Sequence, residues 1–256
     1  MRAVGWLFVG LSAVFGVAAL SLGFAGVSDP VRALVVGGCA CLAIAAPALI
    51  TACELTAGNV GDAQAGPMLL AGESSGLEVL ADSAYGSGQH RAHLLAAHHV
   101  AVIKAIPLRE TIPGGFSIDD FVIDLTSRIA TCPAGQTVPI NGSGSAKFGP
   151  RCRACVLPSR CTATRHGRDL TIHPHFALMA AARRQPETES FQRTYTQWRP
   201  MVERSLAWLV RKGNRRVAYR GIERNRIWLS HRVAAVDLGR LLNLGLSRNP
   251  DGWTVA

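Results

Sequence analysis

Two carboxylates stand out by their surroundings. Glu203 lies in Tyr195-Thr-Gln-Trp-Arg199-Pro200-Met-Val-Glu203-Arg204, a helix-forming stretch otherwise crowded with cations that runs on to Arg211 and Lys212. Asp82 closes the apolar run Leu77-Glu-Val-Leu-Ala81 and precedes Ser83-Ala-Tyr85-Gly86-Ser87-Gly88. A carboxylate among Arg and Lys is held ionised and faces a polyanion. A second carboxylate at a strand end can share a divalent metal with it, and the chemistry that such a pair serves is in-line displacement at phosphorus, here on DNA. Arg199, Arg204, Arg211, Lys212, Arg215 and Arg216 are the candidate phosphate contacts, which orient a strand without choosing its sequence. Each acid also has a plain structural use. Asp82 suits the N-cap of a helix beginning near Gly86. Glu203, three residues after Pro200, suits a first turn, where the helix dipole favours an acid, with Arg199 on the same face.

The charge distribution points the same way. Of a formal net charge of +10, residues 1–150 contribute 7 basic and 10 acidic side chains and residues 151–256 contribute 20 basic and 7 acidic. A swing of that size marks the second half as the polyanion-binding half, although solvated helix faces also collect Arg.

The elements that must position these groups read as α/β. Leu49 to Leu55 is a strand, Asn59 to Asp62 a turn into a helix ending near Ala71, and Leu77 to Ala81 a second strand. Gly86 to His99 is a helix with Leu94 and Leu95 inward, and Val100 to Ile106 is a buried strand. Residues 111–175 turn to Gly, Pro, Ser and Cys and read as an insertion, with Phe121 to Ile129 as one alternating strand. Helical periodicity returns at Phe176; Pro200 opens the helix bearing Glu203. The last helix, about Ile222 to Leu244, presents Ile222, Leu229, Val233, Val236 and Leu241 inward. Residues 247–256 form a tail.

Residues 3–28 carry no charge, long enough to cross a bilayer as a helix, and a second uncharged run follows from Ala33 to Cys53, broken by Gly37, Gly38 and Pro47. The composition changes sharply near Ile50, so residues 1–49 read as an apolar tract distinct from the core. Its apolar run exceeds that of an ordinary signal peptide.

Cys132, Cys152, Cys155 and Cys161 lie in the insertion, while Cys39, Cys41 and Cys53 lie in or beside the apolar tract. Cys152-x2-Cys155, with Cys161 following and Cys132 returning from the preceding strand, can close a tetrahedral S4 site for structural Zn2+, with His173 or His175 as a substitute ligand. Four reduced thiols are the plainer reading; disulfides do not suit a cytosolic chain. A serine hydrolase is disfavoured, because neither Ser83 nor Ser87 has the Gly-x-Ser-x-Gly setting.

Over residues 50 to about 246 the chain resembles the DDE transposases of bacterial insertion sequences. The matching text is Ile50-Thr51-Ala52 with Glu54-Leu55-Thr56, Asn59-Val-Gly-Asp62, Leu80-Ala-Asp82-Ser-Ala-Tyr85-Gly86, Cys132-Pro-Ala-Gly, Ile172-His-Pro-His175 and Arg199-Pro-Met-Val-Glu203-Arg. The resemblance implies an RNase H-like core with a Cys-rich insertion and C-terminal helices. It implies metal-dependent DNA cleavage and strand transfer, Mg2+ or Mn2+ as cofactor, and DNA as partner, both element ends and target, in the cytoplasm. Asp82 then corresponds to the family's second catalytic Asp and Glu203 to its Glu. Tyr195 and Arg199 approximate the Tyr, Arg, Glu, Lys signature around that Glu, with Tyr195 and Arg211 or Lys212 slightly displaced in spacing.

One departure matters. The family carries its first catalytic Asp on the opening strand, upstream of the segment that matches Ile50, and here that region is replaced by the apolar tract. Asp29, beside Pro30, takes no catalytic role. The expectation is a truncated copy that does not cleave DNA alone, its first 49 residues being out-of-frame or unrelated sequence, with a homodimer as one route to the missing elements. The competing class is a membrane-anchored, basic nucleic-acid-binding or structural protein held by residues 6–50.

Overall fold

The computed structural model describes residues 31–36, 40–44, 49–56, 62–211, 217–250 and 252–255. The chain divides into two units, residues 1–104 with 184–256, and residues 105–183.

The first unit is built on a five-stranded sheet of order β3-β2-β1-β4-β5. Its strands are β1 (Val31–Val36), β2 (Ala40–Ile44), β3 (Ile50–Glu54), β4 (Glu78–Ala81) and β5 (Val100–Ile103). β1, β2 and β3 pair antiparallel in sequence, whereas β4 runs parallel to β1 and β5 parallel to β4. Parallel neighbours need crossovers. Helices α1 (Asp62–Leu70) and α2 (Gly88–Ala96) lie in the connections from β3 to β4 and from β4 to β5.

Strand periodicity decides which residues meet which layer. Val79 and Ala81 of β4 and Ile103 of β5 join Leu69 and Leu70 of α1 and Leu94 of α2 in one cluster. Leu80 and Val102, one residue out of phase, join Ile50, Phe191 and Leu209 in a second. Burial on both faces explains why these strands read as unbroken apolar runs. The second cluster is completed by the unit's long helices, introduced below with the site. Gly66 in α1 permits the close approach to α2: a Cβ there would lie 2.4 Å from Cε1 of the buried His90.

Several expectations change. Where a second membrane span was expected, β1, β2 and β3 pair with one another and β1 with β4, so the sheet extends into residues assigned by composition to a separate tract. Among the described residues no helix is long and apolar enough to cross a membrane. Residues 1–30, which hold the first uncharged run and Asp29, lie outside the described residues, as do 57–61 of the expected turn. Leu95 points outward at 60% exposure, while Leu94 is fully buried.

The second unit holds a three-stranded antiparallel sheet of β6 (Val122–Asp124), β7 (Ile129–Thr131) and β8 (Thr137–Pro139). An antiparallel pair of β9 (Ser145–Lys147) and β10 (Asp169–Thr171) follows, together with the short helix α3 (Pro158–Cys161) and α4 (Phe176–Arg184), whose last residue falls in the first unit. The single strand expected from Phe121 to Ile129 is instead a hairpin. Asp124 breaks it, its carboxylate accepting the Thr126 and Ser127 amides at 2.8 and 3.0 Å and so closing a turn. Phe121, Ala130, Val138, Ala146, Phe148 and Leu170 form this unit's own core.

Candidate active site

Asp82 stands one residue beyond β4, at the C-terminal edge shared by the parallel strands, where α/β sheets gather reactive groups. It N-caps the short 3-10 turn Ser83–Tyr85, its Oδ1 accepting the Ala84 amide at 2.9 Å. The turn is fastened from below by Arg91 of α2, 5% exposed, which donates through Nε to the Gly86 carbonyl at 3.3 Å and through a terminal nitrogen to the Ile103 carbonyl at 2.7 Å. Burial lowers the Arg91 pKa to about 10, leaving it a cation at neutral pH. One guanidinium thus joins the turn after Asp82 to the end of β5.

β1 is the parallel neighbour of β4, with Val31 paired to Glu78, Arg32 to Val79 and Ala33 to Leu80. β1 reads Val-Arg-Ala-Leu-Val-Val and contains no acid. A strand therefore precedes Ile50 in this sheet, and it carries no carboxylate.

Glu203 belongs to α5 (Glu189–Val210), which starts 11 residues before Pro200 rather than at it. Thr188 caps the helix by accepting the Phe191 amide. Phe191, Tyr195 and Trp198, at helical spacing, pack on the sheet, and that burial offsets the roughly 3 kcal/mol cost of an interior proline. Glu203 is exposed, and Arg199 pairs with it at 2.9 Å, one turn earlier. Arg199 also lies over the Tyr195 ring, 5.8 Å from its centre. At the far end of α5, Arg232 of α6 (Ile222–Asn243) gathers three carbonyls, Leu209 at 2.9 Å, Trp208 at 3.2 Å and Arg211 at 2.9 Å, taking up acceptors that a helix end leaves unpaired.

Of the candidate phosphate contacts, Arg204 and Arg211 are exposed and Arg199 is engaged with Glu203. Lys212, Arg215 and Arg216 lie outside the described residues. Within α6 only part of the expected inner face is buried: Leu229 and Leu241 are, Val233 and Val236 are partly so, and Ile222 is 40% exposed.

Two further acids tie α6 to β3, neither signalled by sequence spacing. Glu54 meets Arg226 at 2.6 Å, with Glu54 at 15% side-chain exposure. Asp237 accepts the Ile50 amide at 3.0 Å. Burial raises the Asp237 pKa to about 6, against the Ile50 hydrogen bond and nearby Arg240, which pull it down.

The expected sulfur ligands come together in part. Cys132, Cys152, Cys155 and Cys161 are unbridged thiols that line one small cavity of the second unit. His173 and His175 do not line it; they contact each other, the His175 amide donating to Nδ1 of His173 at 3.0 Å. Among the described residues no group of three or more His, Cys, Asp or Glu side chains is arranged to hold a metal ion. This applies to the carboxylates as well as to the thiols.

Residues 131–242 match the family model of the transposase DDE domain, so over this span the chain is similar to the DDE transposases. The matched span contains the four cysteines and Glu203 and begins beyond Asp82. Comparisons with curated proteins and with solved structures gave no match.

Proposed function

We propose that the chain derives from a transposase of RNase H-like core that binds DNA, and that as this single polypeptide it does not cleave DNA. The observation that carries the reading is the sheet: order β3-β2-β1-β4-β5, antiparallel through β1 to β3 and parallel from β1 to β5, with Asp82 at the end of β4. α5, bearing Glu203, packs on this sheet through Phe191 and Leu209. The family match over Glu203 supports the same assignment.

The family's Mg2+ or Mn2+ pair would need carboxylates held a few ångströms apart. The residues present do not fit that pair. Glu203 is bound to Arg199, an Asp82 oxygen is committed to the Ala84 amide, and β1, the strand paired with β4, contains no acid. Cleavage and strand transfer are therefore the ancestral chemistry of the scaffold, and what this chain retains is a basic surface for phosphates through Arg204, Arg211 and their neighbours. Nothing in the described residues favours the membrane-anchored alternative.

The test is nicking of supercoiled plasmid with Mg2+ or Mn2+ across a range of protein concentrations, beside a salt-titrated DNA-binding measurement. The expected result is salt-sensitive binding without nicking. Metal-dependent nicking that disappears in Asp82→Ala would overturn the proposal.

A further inference from the structure

The small cavity of the second unit carries charge logic that the proposed function does not use. Its volume is about 20 Å3, room for one water-sized body and no organic ligand. Cys132 ends the β7 edge, in a tight turn where its carbonyl accepts the Gly135 amide at 2.8 Å and its amide donates to Gln136 at 2.9 Å. Cys152 ends a 3-10 turn, Cys155 follows three residues later and Cys161 ends α3. Apart from sulfur, the walls are mainly apolar, Phe116, Phe148 and Leu157 among them.

Two sulfurs accept backbone amides: Cys155 Sγ from Leu157 at 3.3 Å and Cys152 Sγ from Arg168 at 3.4 Å. The decisive neighbour is Arg168, which also lines the cavity and is 7% exposed. Its terminal nitrogens donate to Thr111 Oγ1, to the Cys161 carbonyl and to the Phe116 carbonyl. Its Nε has no acceptor, and among the described residues no carboxylate pairs with the guanidinium. A buried cation without a counter-charge is costly.

We propose that Cys132, Cys152, Cys155 and Cys161 bind one thiophilic divalent cation of the zinc class as a tetrathiolate, with Arg168 as its buried counter-charge. Four thiolates around one divalent ion carry a net charge of about −2, which supplies the anion that Arg168 lacks. Each thiol releases its proton to solvent as the metal enters, so binding weakens as pH falls. The thiols line the cavity without converging on one point, and side-chain rotation closes the set around the ion. The ion then cross-links the β7–β8 turn to the loop and helix that follow β9, a staple for a unit with a small apolar core. The site is independent of the carboxylates, so its test can fail while the DNA reading stands.

The experiment uses the full chain, purified under reducing conditions, loaded with Zn2+ and freed of loose metal by gel filtration. Elemental analysis should give about one zinc per chain, and reconstitution with Co2+ should give the charge-transfer and d–d bands of a tetrahedral thiolate complex. Cys155→Ser and Cys152→Ser should abolish those bands and Cys53→Ser should not. Arg168→Met should weaken binding by about 10- to 100-fold, as loss of an outer-shell partner does. Should the variants fail to fold, thiol labelling of the wild-type chain still decides: four thiols protected by Zn2+ and released by chelator support the site. Absence of retained metal with no zinc protection, or cobalt bands that survive both Cys152→Ser and Cys155→Ser, overturns it.

Discussion

Replacing Asp237 with Asn isolates the cost of burying a carboxylate beneath the β3 end of the sheet. The side chain is largely enclosed between α6 and β3, accepts the Ile50 amide at 3.0 Å and has Arg240 nearby. Burial outweighs both and lifts its pKa from 3.8 to about 6. The folded-state pKa lies above the unfolded one, so the linked stability is fully present below about pH 4 and is lost as pH rises through about 6. At about 1.4 kcal/mol per pKa unit, the loss is about 2–3 kcal/mol by neutral pH, with partial solvent access reducing it toward the lower figure. Asn keeps an oxygen for the Ile50 amide and carries no charge. Asp237→Asn is therefore expected to match wild type near pH 4 and to exceed it by about 2 kcal/mol at pH 7.5. Urea unfolding of both chains at half-unit steps from pH 4 to pH 8 reads this directly, because taking the difference cancels every other titrating group, His90 included. A difference that is flat with pH, or one in which wild type gains on the variant above pH 5, would refute the assignment of burial as the dominant cause.

Arg232→Ala should cost about 1.5–3 kcal/mol in urea unfolding, because it leaves the carbonyls of Trp208, Leu209 and Arg211 without their shared donor; a loss under about 0.5 kcal/mol would show that water replaces it freely. Arg226→Ala should destabilise by about 1–3 kcal/mol by leaving Glu54 unpaired, and Arg226→Ala with Glu54→Gln should recover part of that loss; additive losses in the double-mutant cycle would mean the pair contributes nothing. Gly66→Ala should cost about 1–3 kcal/mol because its Cβ meets His90, and unchanged unfolding would show that α2 moves aside. In DNA binding, Arg204→Ala and Arg211→Ala should each reduce the slope of log K against log salt by about 1, uniformly across sequences; an unchanged slope would place the DNA elsewhere.

How much of this was legible in the sequence depends on whether a signal was local. β3, β4 and β5 and the helices α1, α2 and α6 follow from apolar periodicity bounded by turn residues, with ends shifted by a few positions. β1 and β2 were not legible. A largely apolar strand has no polar alternation to announce it, and an uncharged segment joined to another uncharged segment looks like a membrane span; only pairing with β4, more than 40 residues downstream, gives it away. The start of α5 was hidden for the converse reason. Pro200 is a strong local signal for a first turn, but Phe191, Tyr195 and Trp198 bury enough against the sheet to carry the helix through it. Asp82 and Glu203 stand out by their neighbours in sequence, whereas Asp237, Glu54 and Arg91 owe their structural roles to contacts that no spacing rule reaches.

Both carboxylates stand on elements fastened by long-range contacts: Arg91 holds the turn after Asp82, and Arg232 closes the helix that bears Glu203. β1, the strand that pairs with β4, contains no acid. The sheet's stability rests on the two apolar layers formed by α1 and α2 on one face and α5 and α6 on the other, and neither layer includes Asp82 or Glu203.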